Sequence, residues 1–171
     1  MSDSVLVCEI INSSHQSVIE SFDCGKVLVN NFLKEEALKL NDVNLVKTRL
    51  YFDEDHNFIG FFSLFNESVS VMKSKRTQQQ WIDIEDQKNI FPAIRLHFLG
   101  VNQKYQKIGL GEYLLFEAIY AAKDISEISG CTFVTLETED DCYQFYENRD
   151  FVYLRKNERN NKFSNMCLKI S

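Results

Sequence analysis

The 171-residue chain has only six glycines and one proline, too few for a collagen-like, linker-rich or disordered protein. It also lacks any apolar run of the ~20 residues that a membrane-spanning helix needs. Asp3 lies where a secretion signal would be basic. Together with a hydrophobic content of 44%, these absences predict one well-packed domain over residues 1–171, without a membrane partner and located in the cytoplasm.

The five cysteines and three histidines form no recognisable metal or disulfide pattern. No two cysteines make a C-x-x-C pair, and the histidines are scattered along the chain. We therefore predict that no metal is bound. The thiols, Cys131 and Cys142 included, are interpreted as small structural side chains in a reducing compartment.

An excess of positive charge is lacking as well, since 19 Lys and Arg against 25 Asp and Glu give a net charge of -6 at pH 7. This balance disfavours wholesale nucleic-acid binding, which needs a basic footprint. The charge is uneven: "TEDDCYQFYENRD" is acidic, whereas "KSKR" from Lys73 and "RKNERNNK" from Arg155 are basic. Each patch taken alone is typical of a solvated surface.

Hydrophobic periodicity predicts an α/β protein with the element order β-α-α-β-β-β-α-β-α-β-β, a mixed sheet flanked by helices. Strands are predicted in "VLVCEII", in the hairpin "TRLYFDEDHNFIGFFSLFNESV", and in "AIRLHFLGV", "TFVTLET", "FVYLRK" and "SNMCLKI". Helices are predicted in "SSHQSVIESF", over Lys26–Leu40 and Leu110–Lys123, and after a capping Asp140. For residues 72–92 we predict a loop with a short helix.

One glycine-rich stretch carries the strongest indication of function. "KYQKIGLGEYLL", Lys104 to Leu115, places two glycines between a predicted strand and a predicted helix. Glycine permits positive φ and close approach of a ligand, and the first-turn amides of a helix attract anions. No Gly-Lys-Ser/Thr follows, and Leu114 takes the third glycine position of the dinucleotide motif. A plain turn and an anion-binding loop both remain open on the glycines alone.

The wider pattern resembles the GNAT superfamily of N-acetyltransferases. V-x-x-x-Y-Q-x-x-G-x-G, from Val101 to Gly111, is similar to the acetyl-CoA signature of that family. "CYQFYENRDF" resembles the family's Phe-Tyr-x-x-x-Gly-Phe, with Asp150 in place of the glycine. At the start of the same helix, Glu139 takes the place of an Asn that is frequent in other GNAT enzymes. "FDCGKVLVNNFLKEEALK" and the hairpin resemble the branch that contains bacterial toxins paired with small antitoxins.

The resemblance implies a single-domain GNAT fold, with a mixed, mostly antiparallel sheet flanked by helices and splayed central strands. It implies acetyl-CoA as cosubstrate and direct acetyl transfer to an amine. Tyr146 would protonate the leaving thiolate as general acid; the alternative for this residue is a core aromatic. The residues implied to bind the coenzyme are Leu99, Gly100 and Val101 at the strand end, and Gln106, Lys107, Ile108, Gly109, Leu110 and Gly111 in the loop.

The acceptor and the general base remain open. An aminoacyl-tRNA, a small amine and a protein amine are the acceptor alternatives, and His97, Glu137 or an ordered water are the alternatives for the base. A tRNA acceptor would need a basic face, drawn from Lys34, Lys39, Lys47, Arg49, Lys73, Lys75 and Arg76.

The toxin branch implies a small antitoxin as protein partner. The aromatic hairpin "FIGFFSLF" is interpreted as core, with a homodimer surface as the alternative. The rival function is a non-catalytic GNAT-fold module that binds coenzyme A or a protein.

Overall fold

A computed structural model describes residues 5–170. The predicted domain limits at residues 1 and 171 lie outside this range. Within it, no helix combines the length and the apolar character needed to cross a membrane.

Seven strands form one sheet in the order β1-β2-β3-β4-β5-β7-β6. The pairings β1–β2, β2–β3, β5–β7 and β6–β7 are antiparallel. The predicted strands are confirmed, although β4 begins three residues early and includes the single proline. The strands are β1 (Val7–Ile10), β2 (Lys47–Phe52), β3 (Phe58–Ser70), β4 (Ile90–Val101), β5 (Phe133–Glu139), β6 (Val152–Lys156) and β7 (Phe163–Lys169).

The predicted helices are also present. The one predicted over Lys26–Leu40 is a succession of α2, a π-helical turn at Phe32–Glu36, and α3. Residues 72–92 contain α4 and a 3-10 turn at Ile82–Ile84, so the predicted loop with a short helix is confirmed. The helices are α1 (Gln16–Glu20), α2 (Val27–Asn31), α3 (Ala37–Asp42), α4 (Lys73–Gln78), α5 (Leu110–Ser126) and α6 (Asp140–Glu147).

The prediction that Asp140 caps the last helix is wrong. Glu139 is the N-cap, with extended backbone and no side-chain capping bond, and Asp140 is already helical. The Oδ1 atom of Asp140 instead accepts a hydrogen bond from Nζ of Lys156 at 3.0 Å. The carboxylate still lies at the positive end of the α6 dipole, where negative charge is favourable.

The chain divides into two compact units. The first unit comprises the chain through Phe65 together with Leu96–Ala118, and the second comprises Asn66–Arg95 together with the chain from Ile119. The core of the first unit includes the buried rings of Phe22, Phe32, Phe52, Phe58 and Phe61. The core of the second unit includes Val69, Phe91, Ala93 and Phe133, with Trp81 packed against it. A single domain over the whole chain stays a prediction.

Two glycines in the first unit allow close packing of the backbone. A Cβ atom on Gly60 would lie only 2.4 Å from the carbonyl oxygen of Gly100. A Cβ atom on Gly100 would lie 2.8 Å from Cγ1 of Val29 and 3.1 Å from Phe61. Gly100 therefore has a packing role, because any side chain there would push α2 and β3 away from β4.

The five cysteines are free thiols. Burial raises the pKa of Cys24 and of Cys131, and raises the pKa of Cys167 to about 12. Thiols with raised pKa values are protonated near pH 7 and poorly nucleophilic. This supports the structural interpretation of Cys131.

Candidate coenzyme loop and tyrosine helix

The glycine-rich loop lies in the first unit and joins Val101 at the end of β4 to Leu110 at the start of α5. It begins with a 3-10 turn at Gln103–Tyr105, where the Asn102 side chain accepts a hydrogen bond from the amide of Lys104 at 3.2 Å. Lys107 and Gly109 then adopt left-handed backbone angles, with φ of 65° and 90°. Because a left-handed lysine costs about 1 kcal/mol, surrounding contacts must hold the loop in this shape.

The amides at the end of this loop are open. Within residues 5–170, no backbone hydrogen bond uses the N–H groups of residues 107–111. A Cβ atom on Gly109 would meet nothing within 4 Å, so space for a ligand adjoins the backbone. The first turn of α5 adds the partial positive charge of a helix N-terminus. This arrangement suits a phosphate or pyrophosphate group.

The side chain of Gln106 is occupied by the protein itself. Its Nε2 atom donates to the carbonyl oxygen of Val101 and to that of Cys24, both at 2.8 Å. The side chain therefore ties the loop to the end of β4 and to the turn that follows α1. Coenzyme contacts through the backbone of Gln106, Lys107, Ile108, Gly109, Leu110 and Gly111 stay predictions.

The end of β4 is also firmly held. Val101 is buried, and the amide of Asn102 donates to the carbonyl oxygen of Ile59 at 2.8 Å. Together with the packing glycine at position 100, this bond anchors the strand just before the loop. Backbone contacts from Leu99, Gly100 and Val101 to the pantetheine arm stay predictions.

Tyr146 lies on α6 in the second unit and is partly buried. Its ring makes edge-on contacts with Phe145 and Phe151, with centroids 5.0 and 5.8 Å apart. Burial, and to a smaller extent the nearby Cys142, raises the pKa of the Tyr146 hydroxyl above its ordinary value. The hydroxyl is therefore neutral near pH 7, and it makes no hydrogen bond within residues 5–170. The ring thus packs between two aromatic neighbours, while the hydroxyl remains a donor.

Asp150 shows how this chain departs from the family pattern. It occupies the position of the family's glycine and has a left-handed φ of 66°. The amide of the next residue, Phe151, donates to the carbonyl oxygen of Tyr146 at 3.2 Å. The left-handed turn that glycine permits is thus kept by an aspartate, one of the few side chains that tolerate this region.

The two candidate bases differ in their surroundings. The His97 ring contacts the rings of Phe32, Phe65 and Phe98, with centroids between 4.5 and 5.2 Å away. This aromatic environment supports a structural histidine.

Glu137 is held in a polar cluster of the second unit. Its Oε1 atom accepts from Nη2 of Arg95 and from Nδ2 of Asn157, both at 2.8 Å. Nη1 of Arg95 also lies 3.5 Å from Glu67. Sequence reasoning missed this cluster, because only strand pairing brings Glu67 and Glu137 to the same arginine. The general base remains unassigned.

The prediction that Arg76 belongs to a basic face is wrong. Arg76 is only 1% exposed and donates to the carbonyl oxygens of Val71, Glu85 and Gln87. Its guanidinium satisfies backbone acceptors on both sides of α4, so the buried charge is not available to a tRNA phosphate. Lys73 forms an ion pair with Asp86 at 2.8 Å. In the first unit, Lys34, Lys39 and Lys47 are exposed.

Across residues 5–170, no group of three or more His, Cys, Asp or Glu side chains is placed to hold a metal ion. The predicted site residues stay predictions: the loop lies in the first unit, and Tyr146 lies in the second.

Solved structures of bacterial toxins share this architecture. A bacterial toxin has a TM-score of 0.82 with 22% identity, over 98% of this chain and 92% of that one. AtaT complexed with acetyl-methionyl-tRNAfMet has a TM-score of 0.77 with 17% identity, over 96% and 95%. A tyrosine-to-phenylalanine variant of KacT has a TM-score of 0.77 with 21% identity, over 95% and 94%. The chain has the fold of the GNAT acetyltransferase toxins.

One curated protein is similar to this chain in sequence. The probable toxin TacT of Sinorhizobium fredii is 25% identical over 118 residues, which are 68% of this chain. The match spans 64% of the length of that relative. No protein-family model matches the sequence.

Proposed function

We propose that this chain is an acetyl-CoA-dependent N-acetyltransferase that transfers acetyl directly to the amine of a charged tRNA. The observation that carries the proposal is the row of open amides at residues 107–111, which lies at the start of α5 and is bordered by empty space at Gly109. Such a row binds a pyrophosphate without any metal or lysine clamp. The GNAT fold supports acetyl-CoA as the molecule that carries it.

The reaction needs no acyl-enzyme. The neutral acceptor amine attacks the thioester carbonyl, an N–C bond forms, and the C–S bond breaks. The amine proton goes to solvent or to a base, and the departing thiolate receives a proton. Amides aimed at the developing oxyanion contribute ~3 kcal/mol each in other enzymes, and we assign this role to the backbone at Leu99, Gly100 and Val101.

Tyr146 is proposed as the group that meets the leaving sulfur. Its raised pKa keeps the hydroxyl protonated, so it is always in the donor form near pH 7. The same shift makes full proton transfer to a thiolate of pKa ~8.5 more costly. A strong hydrogen bond to the departing sulfur, completed by protonation from solvent, is the contribution that this environment favours.

The similar structures support the choice of acceptor and partner. AtaT is seen with acetyl-methionyl-tRNAfMet, and an AtaT variant is seen with acetyl-CoA and the C-terminus of its antitoxin AtaR. By this likeness we assign a charged tRNA as acceptor, a small antitoxin as partner, and the cytoplasm as location. In the first unit, the exposed Lys34, Lys39 and Lys47 supply positive charge for phosphate contacts.

An acetyl-transfer assay tests the proposal. Acetyl-CoA with a labelled acetyl group is offered with charged tRNAs, and separately with deacylated tRNA, polyamines, aminoglycosides and peptides. We expect label in one or more charged tRNAs only. Tyr146→Phe should lower kcat by roughly 100-fold while leaving the Kd of acetyl-CoA unchanged. Tyr143→Phe, one turn earlier on α6, is the matched control and should retain kcat.

Other outcomes distinguish the alternatives. Transfer to polyamines or peptides alone would keep the enzyme and replace the acceptor. Binding of acetyl-CoA without turnover on any acceptor would support the non-catalytic module. Absence of acetyl-CoA binding in calorimetry would refute the proposed cosubstrate.

A further inference from the structure

A second segment of the first unit is hydrogen-bonded to the coenzyme loop. It is the turn Asp23-Cys24-Gly25, which lies between α1 and α2 and is far from the loop in sequence. Oδ1 of Asp23 accepts hydrogen bonds from the amide of Gly25 and from Nδ2 of Asn30, both at 2.8 Å. These two bonds hold the turn closed, and they lower the pKa of the Asp23 carboxyl. Gly25 has a left-handed φ of 83°.

The backbone of Cys24 connects this turn to the loop. On one side, its amide donates to Oδ1 of Asn30 at 3.0 Å. On the other side, its carbonyl oxygen accepts from Nε2 of Gln106 at 2.8 Å. One residue therefore has its N–H held by α2 and its C=O held by the loop.

A second pair of contacts keeps the turn and the loop in register. The amide of Gln103 donates to the carbonyl oxygen of Asp23 at 2.9 Å. A Cβ atom on Gly25 would lie 2.7 Å from Nε2 of Gln103, so the two segments touch at Gly25. The turn thus supports the loop at two points, Gln103 and Gln106, immediately before the left-handed Lys107.

This support explains how the loop keeps its unfavourable shape. Within residues 5–170, the amides of residues 107–111 make no backbone hydrogen bond, and Lys107 has a left-handed φ of 65°. A loop of this kind relaxes unless neighbouring contacts prevent it. The amide of Gln106 donates to the carbonyl oxygen of Gln103 at a long 3.4 Å, whereas its side chain makes two hydrogen bonds of 2.8 Å. The side chain is the firmer anchor.

We infer that Asn30 and Gln106 are positioning residues of the coenzyme loop, and that they act together through the Cys24 backbone to preorganise its amides for pyrophosphate. The inference rests on the proposed function, because it assigns residues to the binding of acetyl-CoA. Neither side chain contacts the coenzyme in this assignment. Asn30 binds the amide of Cys24, and Gln106 binds its carbonyl oxygen.

A double-mutant cycle tests the inference. The Kd of acetyl-CoA is measured by calorimetry for wild type, Asn30→Ala, Gln106→Ala and the double variant, at a temperature where circular dichroism shows each to be folded. We expect each single change to weaken binding about tenfold. The double variant should be little weaker than either single, because two losses in one network do not add. Asn31→Ala, an exposed neighbour on α2, is the control and should bind like wild type.

Kinetics separate positioning from general support of the fold. In the variants, KM for acetyl-CoA should rise about tenfold, while kcat at saturating acetyl-CoA and KM for the acceptor stay within twofold of wild type. Gln106→Arg should recover most of the affinity, because a guanidinium has enough donors for both carbonyl oxygens. If Asn30→Ala does not fold, Asn30→Ser takes its place in the cycle, because the additivity test needs a folded variant at each position.

The outcomes also separate this inference from the proposed function. Normal binding by wild type with unchanged Kd in Gln106→Ala, or strictly additive losses in the double variant, would overturn the positioning role alone. If wild type does not bind acetyl-CoA, the proposed function falls and the inference falls with it.

Discussion

The loop that we propose for the coenzyme, in the first unit, and the helix of Tyr146, in the second unit, are held by different forces. The loop depends on directional hydrogen bonds. Two of them join the loop to the Asp23–Gly25 turn, and two more join that turn to Asn30. The tyrosine helix depends on ring packing, with Tyr146 between Phe145 and Phe151. Arg149 strengthens this packing, with its guanidinium 4.0 Å from the centroid of the Phe145 ring.

The difference follows from what each part has to present. A row of backbone amides can be aimed only by fixing the backbone itself, and hydrogen bonds define direction within narrow limits. A phenol needs a fixed ring and an apolar environment, which packing supplies without direction. The two parts should therefore respond to different kinds of substitution.

The largest expected effect comes from removing ring packing. Phe151 is 1% exposed, so Phe151→Ala leaves a cavity beside Tyr146 and should lower the free energy of unfolding by about 3 to 4 kcal/mol. Urea unfolding measures the loss, with Phe151→Leu as the milder control. The affinity for acetyl-CoA should change little in the folded fraction, because the loop is held by other contacts. A large loss of affinity would erase the distinction between the two parts.

The next largest effect comes from filling the close approach of β3 and β4. Gly60→Ala puts a methyl group 2.4 Å from the carbonyl oxygen of Gly100, and we expect a loss of about 2 kcal/mol in unfolding free energy. Gly130→Ala is the matched control, since its Cβ would meet only Cγ of Pro92 at 3.9 Å. Thermal melting of both variants decides the comparison, and equal melting temperatures would contradict the packing role of Gly60.

A smaller effect is expected in the loop itself. Gly109→Ala finds empty space but an unfavourable φ of 90°, so stability should fall by about 1 kcal/mol. Because the amides then reorient, the Kd of acetyl-CoA should rise about tenfold. Gly109→Asn tolerates the left-handed region better and should recover part of both losses. An unchanged Kd in Gly109→Ala would remove this glycine from the site.

The smallest effect concerns alkaline pH. The pKa of Tyr146 is raised mainly by burial, and that of Tyr51 in the first unit is raised by burial and by the nearby Cys8 and Glu117. The folded state therefore holds both phenolic protons more tightly than the unfolded state. Stability should be unaffected below about pH 10, the ordinary phenol pKa, and fall as pH rises above it.

Urea unfolding at pH 8 to 11 measures this effect. Tyr146→Phe should weaken the alkaline loss, because one phenol with a raised pKa no longer titrates. The exposed Tyr120, changed in the same way, is the control. Full retention of the alkaline loss in Tyr146→Phe would contradict the raised pKa of its hydroxyl.

Most secondary structure was predictable from local patterns. Alternating and three-to-four spacings located the strands, the helix α5 and the hairpin, because these periodicities record which faces are buried. The loop was predictable for a related reason: glycine marks positions where the backbone needs freedom, and Gly109 does have a left-handed φ. The misplaced cap at Asp140 is an error of one residue, within the usual uncertainty of helix ends.

Other features were beyond local patterns. Arg76 reads as a surface cation within "KSKR", yet it is buried among the carbonyl oxygens of a loop. Gln106 reads as part of a binding signature, yet its side chain bonds to Cys24, 82 residues away. Both roles depend on partners distant in sequence, and no spacing rule records them.

The sequence by itself determined the order of the elements and the conformational demands of the loop, since propensity, periodicity and glycine freedom act over a few residues. Only the tertiary structure decided which contacts hold that loop, why close packing requires glycine at position 100, and how the surroundings of Tyr146 raise its pKa. Those outcomes come from packing, hydrogen bonding and desolvation. All three depend on which distant segments the fold brings together.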